Sequence, residues 1–217
     1  LRNKHFYSLV LFQKNFVLEA INVKFVSFNL MPYQTLPEDF EEKYPSVWVT
    51  PPKHLFDPKE GHRMYHEYLD ELEFSVDLGF DAVGVNEHHS NAYGMMPSPN
   101  LMASILARKV RYSNTTSLIV LGNSLANYNP PMRVAEEFAM LDVLTGGKFI
   151  AGFPVGTSMD GNYAYGIKPA ELRERYYENH DLIMAAWKSD DIIMFNGKYN
   201  QQRYINPWPR PAQSPHP

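Results

Sequence analysis

The strongest constraint on the fold is an alternation of short apolar runs with longer stretches of helical periodicity. Four β-rich runs lie near residues 23–29, 81–86, 116–121 and 148–152, and each precedes a predicted helix. Continuous apolar runs such as SLIVL, at residues 117–121, suit strands that are buried on both faces. Because a helix separates each strand from the next, the order β-α-β-α-β-α-β-α predicts a parallel sheet.

The predicted helices are marked by their ends as well as by their periodicity. The first ends before Gly79, and the second takes Ser98-Pro99 as its N-cap and first residue. The third starts after Asn129-Pro130-Pro131 and ends at Gly146-Gly147, and the fourth runs from Glu171 to Lys188. The proline-rich end of the chain predicts an extended connector, because proline disrupts both helices and central strands.

Two architectures share this order of elements, a doubly wound sheet and a (β/α)8 barrel. No Gly-x-Gly-x-x-Gly motif follows any predicted strand, which weakens the dinucleotide-binding version of the doubly wound sheet. A complete barrel needs about 250 residues. The 217 residues hold about four β/α units, so the pattern alone leaves both architectures open.

The composition excludes several functional classes. The chain contains no cysteine, so it has no disulfide, cysteine–zinc site or catalytic thiol. A formal net charge of −4 gives no electrostatic reason to expect a nucleic-acid partner. No run of about 18 apolar residues occurs, so no membrane span is expected. We expect a cytoplasmic protein, with residues 1–22 as an N-terminal extension rather than a signal peptide.

A polar cluster, Glu87-His88-His89, follows the second predicted strand. In a barrel, the carboxyl ends of the strands form the active site, so this cluster is a candidate for catalysis. The alternative is a capped strand end with solvated imidazoles. No metal site is expected, because successive residues of an extended chain point to opposite sides and the histidines between residues 54 and 66 match no ligand motif.

The loops after the third and fourth strands are rich in asparagine, serine and glycine. Residues 122–129 include Asn123 and Asn129, whose amides can donate and accept hydrogen bonds at the polar edge of a ring system. Residues 153–161 include Gly156, a residue type that permits close approach of the backbone to a ligand. A role as simple turn formers is the alternative for both loops.

Taken in order, these segments resemble the luciferase-like monooxygenases. The resemblance runs through VKFVSFNLMPY, GFDAVGVNEHH, residues 121–158, NYAYGI and residues 171–187, so it covers about residues 23–217. Its most specific parts are the Glu-His-His motif and the helix that carries Arg133-x-Ala135-Glu136. The resemblance implies a luciferase-like (β/α)8 TIM barrel. Only about the first four β/α units are present, in one domain over residues 23–217 that is cut at its C-terminal side.

The resemblance also implies a chemistry. Members of the family use reduced FMN, supplied by a flavin reductase, together with O2. They oxidise a small organic substrate through a C4a-peroxyflavin. The flavin carries the hard chemistry, while the protein positions it and excludes water.

Site residues follow from the same resemblance. The first histidine of the motif, His88, is expected to be catalytic, since a neutral imidazole exchanges a proton near neutral pH. Glu87 is expected to orient the histidines or the ring edge. Flavin contacts are expected from Phe28, Asn123, Asn129, Val155 and Gly156. Val155 stands where luciferase carries an arginine that helps to hold the flavin phosphate, so the phosphate is expected to be held differently here.

Three alternatives stay open at this stage. An F420-dependent hydride-transfer enzyme shares the barrel, and a non-catalytic flavin-binding or subunit protein would also match, as would an inactive fragment. A sheet of four strands would leave open edges, so a homodimer that rebuilds a barrel is expected if the chain exists alone. Without the other strands, some side chains of the sheet would lose packing partners across the barrel axis. The strand residues that include them are Val26, Phe28, Val83, Val85, Ile119, Leu121 and Ile150.

Overall fold

In the computed structural model, which describes residues 23–156 and 159–217, four strands form a parallel sheet. The strands lie side by side in chain order: β1 (Val26–Phe28), β2 (Ala82–Val85), β3 (Ser117–Val120) and β4 (Phe149–Ala151). The predicted parallel order is therefore confirmed. The proposed extension at residues 1–22 lies outside the described residues.

Helices connect these strands and cover one face of the sheet. The described residues form α1 (Phe40–Lys43), α2 (Pro58–Asp77), α3 (Pro99–Val110), α4 (Met132–Thr145), α5 (Met159–Tyr165) and α6 (Leu172–Lys188). The four long helices α2, α3, α4 and α6 are those that the periodicity predicts. Within the described part of the chain, no helix is both long enough and apolar enough to cross a membrane.

Local chemistry fixes the helix ends. The Asp57 side chain caps α2 by accepting a hydrogen bond from the Lys59 N–H at 2.8 Å. Gly146 ends α4 with a φ of 70°, in the left-handed region that glycine adopts without a steric penalty. Ser98 occupies the N-cap position of α3 as predicted, but its side chain makes no capping hydrogen bond.

The core lies between the sheet and the long helices. Leu118, Val120 and Phe149 are buried in it together with Val83 and Val85. Val83 and Val85 are therefore not among the predicted residues that lose packing partners, because both side chains pack beneath the helices. On the opposite face, four apolar side chains are 41–46% exposed: Val26, Phe28, Leu121 and Ile150.

A β-hairpin follows the last long helix and was not predicted. β5 (Ile193–Asn196) pairs antiparallel with β6 (Gln201–Ile205). Glu178 of α6 accepts hydrogen bonds from the backbone N–H groups of residues 198–200. Burial raises the pKa of Glu178, but hydrogen bonds from Asn200 and from the turn's backbone outweigh it and lower the pKa. The hairpin is thus attached to α6 through one carboxylate.

The proline-rich end of the chain contains no helix or strand from residue 207 to residue 217. It folds back against the amino-terminal edge of β4, where the backbone N–H and side-chain amide of Gln213 donate to the Asp142 carboxylate, both at 2.8 Å. Asp142 is completely buried, so these hydrogen bonds satisfy a carboxylate that solvent does not reach.

Replacement of Leu106 by alanine should test the buried face of α3. Leu106 is completely buried, so the cavity left by the missing side chain should lower the free energy of unfolding by about 2–5 kcal/mol. The measurement is urea denaturation followed by circular dichroism. Leu101→Ala on the same helix is the control, because Leu101 is 65% exposed, and equal losses in the two variants would contradict this packing.

Candidate active site

A depression lies at the carboxyl edge of the parallel sheet. Because parallel strands all end at the same edge, the segments that follow β1, β2, β3 and β4 meet there. The depression has a volume of about 340 Å³. Its lining residues are Phe28, Asn86, Glu87, His88, Leu121, Gly122, Ser124, Pro154, Val155 and Gly156.

Two glycines allow the loops around this depression to approach each other. A Cβ atom on Gly122 would lie 1.8 Å from the Cδ atom of Pro154, a distance that no side chain tolerates. Gly156 has a φ of +76°, and a Cβ atom there would lie 2.7 Å from the Cβ atom of Ser124. The loops after β3 and β4 therefore pack directly against each other and form one wall.

The Glu87 carboxylate is buried at the base of the site, with its side chain only 2% exposed. Its Oε2 atom accepts hydrogen bonds from the Ser124 N–H at 2.9 Å and from the Tyr128 hydroxyl at 3.0 Å. Its Oε1 atom lies 2.7 Å from Nε2 of His89. These three partners satisfy a charged group that would otherwise be very costly to bury.

Tyr128 is fixed as a hydrogen-bond donor to Glu87. Burial raises the pKa of the Tyr128 hydroxyl far above its usual value of about 10, and the nearby Glu87 charge raises it further. The Tyr128 oxygen also accepts a hydrogen bond from Nδ2 of Asn123 at 3.1 Å, so its own proton points to the carboxylate.

Asn123 lies behind the site rather than at its mouth. Its side chain is completely buried, and its Oδ1 atom accepts a hydrogen bond from Asn100 at 2.9 Å. The Asn100 amide also donates to Glu137, at 2.7 Å. Both side-chain amide atoms of Asn123 are therefore used within the protein, and its contact with a flavin stays a prediction.

The two histidines occupy different environments. His88 lines the depression, and its ring meets that of Tyr93 edge to face, with 5.0 Å between centroids. His89 is 8% exposed and packs edge to face on Tyr165, also at 5.0 Å. Burial and the Glu87 charge raise the pKa of the Tyr165 hydroxyl. Glu87 thus holds the second histidine of the motif, while the first is among the residues that line the depression.

The structure brings five of the seven predicted site residues to one depression. They are Phe28, Glu87, His88, Val155 and Gly156. The other two, Asn123 and Asn129, do not line it. Asn129 is exposed and borders a separate depression of about 880 Å³, together with Arg133 and Arg175.

Sequence reasoning missed several residues of the site. Asn86 lines the depression, and its buried Oδ1 atom has no hydrogen-bond partner. Its position directly before Glu87 was the only signal, whereas nothing in the sequence singled out Tyr128 or Ser124. Among the described residues, no group of three or more histidine, aspartate or glutamate side chains is arranged to hold a metal ion.

The family model described as luciferase-like monooxygenase matches residues 46–217. The chain belongs to this family. Among family relatives, the protein y4wF of Sinorhizobium fredii is 32% identical over 73% of this chain and 46% of its own length. The 4-hydroxyprotoasukamycin monooxygenase of Streptomyces nodosus subsp. asukaensis is 30% identical over 65% and 37%. The oxygenase component of the flavin-dependent trigonelline monooxygenase from Acinetobacter baylyi is 25% identical over 74% and 44%.

Solved structures share the fold of this luciferase-like chain. The monooxygenase RslO1 from Streptomyces bottropensis has a TM-score of 0.68 at 23% identity, over 90% of this chain and 52% of its own. The oxygenating constituent of 3,6-diketocamphane monooxygenase from Pseudomonas putida, in complex with FMN, has a TM-score of 0.63 at 16% identity, over 84% and 45%. An F420-dependent secondary alcohol dehydrogenase scores 0.57 at 20% identity, over 69% and 46%. The chain spans about half the length of the proteins that it matches.

The Tyr128→Phe variant should show how much the site depends on the buried carboxylate. Removing the hydroxyl takes one hydrogen bond from Glu87, and such a bond to a charged group contributes about 1.5–3 kcal/mol. We expect the free energy of unfolding in urea to fall by that amount. Tyr177→Phe is the matched control, because Tyr177 is 58% exposed. A Tyr128→Phe variant as stable as the control would show that the carboxylate finds another donor.

Proposed function

We propose that the chain is part of a flavin-dependent monooxygenase that uses reduced FMN and O2 to oxidise an organic substrate. The observation that carries this proposal is the depression at the carboxyl edge of the sheet. It has apolar walls, a polar floor and His88 in its lining, in a chain that belongs to the luciferase-like family. The flavin-dependent trigonelline monooxygenase among its relatives supports the cofactor class.

The residues of the depression fit a flavin ring, which has apolar faces and a polar edge. The side chains that we propose to pack on the ring are those of Phe28, Leu121 and Val155. The unpartnered Oδ1 atom of Asn86 offers an acceptor for a ring N–H. The flavin phosphate has no cationic partner in this depression, because the described residues that line it include no lysine or arginine. We therefore propose that residues outside this depression hold it.

When bound, reduced flavin supplies the electrons and the reactivity toward O2. The chain's own residues then have separate tasks. We propose that His88 holds or moves a proton at one of its ring nitrogens, as imidazole does near neutral pH. Glu87 fixes His89 and the loop after β3, which keeps the wall of the depression in place. The apolar side chains around the depression exclude water from it.

The whole protein is proposed to be a (β/α)8 barrel. Its first four strands would be those of this sheet, and the exposed side chains of Val26, Phe28, Leu121 and Ile150 would face the barrel axis. A flavin reductase is the proposed partner, because the trigonelline relative is named as the oxygenase component of its enzyme. A homodimer stays a prediction, as does a cytoplasmic location.

A second candidate function is hydride transfer with F420. It is favoured by the similar fold of the F420-dependent secondary alcohol dehydrogenase. Incorporation of oxygen from isotope-labelled O2 into an organic product separates the two candidates, because free reduced FMN consumes O2 without any enzyme. The proposed monooxygenase transfers one oxygen atom of O2 to its substrate while the other leaves as water, whereas an F420 enzyme incorporates none and instead bleaches or restores the F420 absorbance with an alcohol or ketone.

The His88→Ala variant should lower turnover more than it lowers flavin affinity. If His88 acts as a general acid or base, turnover of the organic substrate by the complete enzyme should slow by about 10²–10⁴-fold. The dissociation constant for FMN, measured by fluorescence quenching, should stay within a few-fold of the wild-type value. His62→Ala is the control, because His62 is exposed on α2, away from the site. Unchanged turnover with a collapse of FMN binding would make His88 a binding residue only.

A further inference from the structure

A second cavity, which we call the apolar cleft, lies between the segment after β1 and the segment after β2. Its volume is about 240 Å³. The residues that matter for its chemistry are Tyr33, Val49, Phe56, Ser90, Ala92 and Met95. Tyr33 and Phe56 form an aromatic wall, with 5.4 Å between ring centroids and 38° between the ring planes. Such a wall suits a flat or ring-shaped apolar molecule.

Backbone hydrogen bonds hold the two walls of the apolar cleft together. The Tyr33 N–H donates to the Ala92 carbonyl at 2.6 Å, and the Ala92 N–H donates to the Val47 carbonyl at 2.9 Å. The Met95 N–H donates to the Met31 carbonyl, also at 2.9 Å. The cleft is therefore preformed, because its shape does not depend on flexible side chains alone.

Two residues on opposite walls of the apolar cleft have left-handed backbone conformations. Val49 has a φ of 69° and Ser90 a φ of 50°. A positive φ is a genuine outlier for a β-branched residue, and such strain persists where the surrounding structure imposes it, commonly at ligand sites. The 29 residues between β1 and α2, from Asn29 to Asp57, include the short α1 as their only α-helix, and so long a connection in a compact domain is typical of binding loops.

The apolar cleft borders the candidate active site along both of its chain segments. One segment passes from Phe28 to Tyr33 in the cleft. Phe28 lines the depression at the carboxyl edge of the sheet, which we call the flavin depression. The other passes from His88 to Ser90, and two residues span at most about 7 Å. A molecule in the cleft would therefore lie beside the loop that carries His88.

We propose that the apolar cleft binds the apolar body of the organic substrate, an uncharged molecule with an aromatic or alicyclic ring. This inference rests on the proposed function for its link to catalysis. Among the described residues, the lining of the cleft carries no carboxylate, and the Lys53 ammonium group is exposed to solvent. A charged ring would lose hydration in the cleft without gaining a buried partner, because Lys53 stays in solvent, so the cleft selects neutral molecules.

The test uses two fluorescent probes that share the same ring system. N-phenyl-1-naphthylamine is uncharged, and 1-anilinonaphthalene-8-sulfonate carries an additional sulfonate. We expect the neutral probe to bind at least tenfold more tightly than the sulfonate in fluorescence titrations. Equal affinity for the two probes would overturn the proposal that the cleft selects uncharged molecules.

The Ala92→Phe variant fills the apolar cleft, and Ala170→Phe adds the same side chain at an exposed position elsewhere. Affinity for N-phenyl-1-naphthylamine should fall at least tenfold in Ala92→Phe and stay unchanged in Ala170→Phe. Probe bound to the exposed face of the sheet would not respond to Ala92→Phe, so an unchanged affinity would overturn the proposal. If Ala92→Phe loses its thermal transition, Phe56→Ser replaces it, because Phe56 is 47% exposed and its loss removes the aromatic wall.

Flavin binding is measured in the same samples, so that the two proposals fail separately. FMN and the neutral probe should bind together, because the apolar cleft and the flavin depression have no lining residue in common. Displacement of the probe by FMN would place the probe in the flavin depression and overturn the proposal that it binds in the apolar cleft. Probe binding that Ala92→Phe weakens, in a protein without affinity for FMN, would support the cleft while the proposed function fails.

Discussion

The organisation of the candidate site depends on one buried negative charge. A carboxylate that is only 2% exposed needs several partners, and Glu87 finds them in the Ser124 N–H, the Tyr128 hydroxyl and His89. The first two come from the loop after β3, so the charge ties the ends of two neighbouring strands together. The buried Asn123 side chain serves the same charge, because its amide donates to the Tyr128 oxygen and so keeps the Tyr128 proton directed at Glu87.

The sheet was predictable because its strands are short apolar runs separated by amphipathic helices. The sequence did not predict which residues of β2 face the helices. All four residues of this strand are buried, so the apolar run shows no alternation between the two faces. The β5–β6 hairpin was missed for the opposite reason. Although β5 carries apolar residues at positions 193–195, its partner β6 is polar and partly exposed, with Gln201 and Arg203, so it lacks the apolar run of a buried strand.

Within the site, the sequence indicated which segments converge, but not which side chains face the open space. The rule that barrel strands carry functional groups at their carboxyl ends pointed to the Glu87-His88-His89 cluster, and Glu87 and His88 do line the depression. The orientation of the asparagine loop depends on partners such as Asn100, which lies 23 residues before Asn123 and hydrogen-bonds to it. Sequence pattern and composition do not reveal such long-range hydrogen-bond partners, so a buried amide and a ligand-binding amide cannot be told apart in the sequence.

The contact between Gly122 and Pro154 limits how this site can change during evolution or redesign. The two residues lie in loops that follow different strands, yet no Cβ atom fits on Gly122 while Pro154 keeps its place. A side chain at position 122 therefore requires a compensating change at position 154 or a shift of the whole loop. A variant library that randomises position 122 alone would therefore consist almost entirely of proteins in which the loops around the site are displaced.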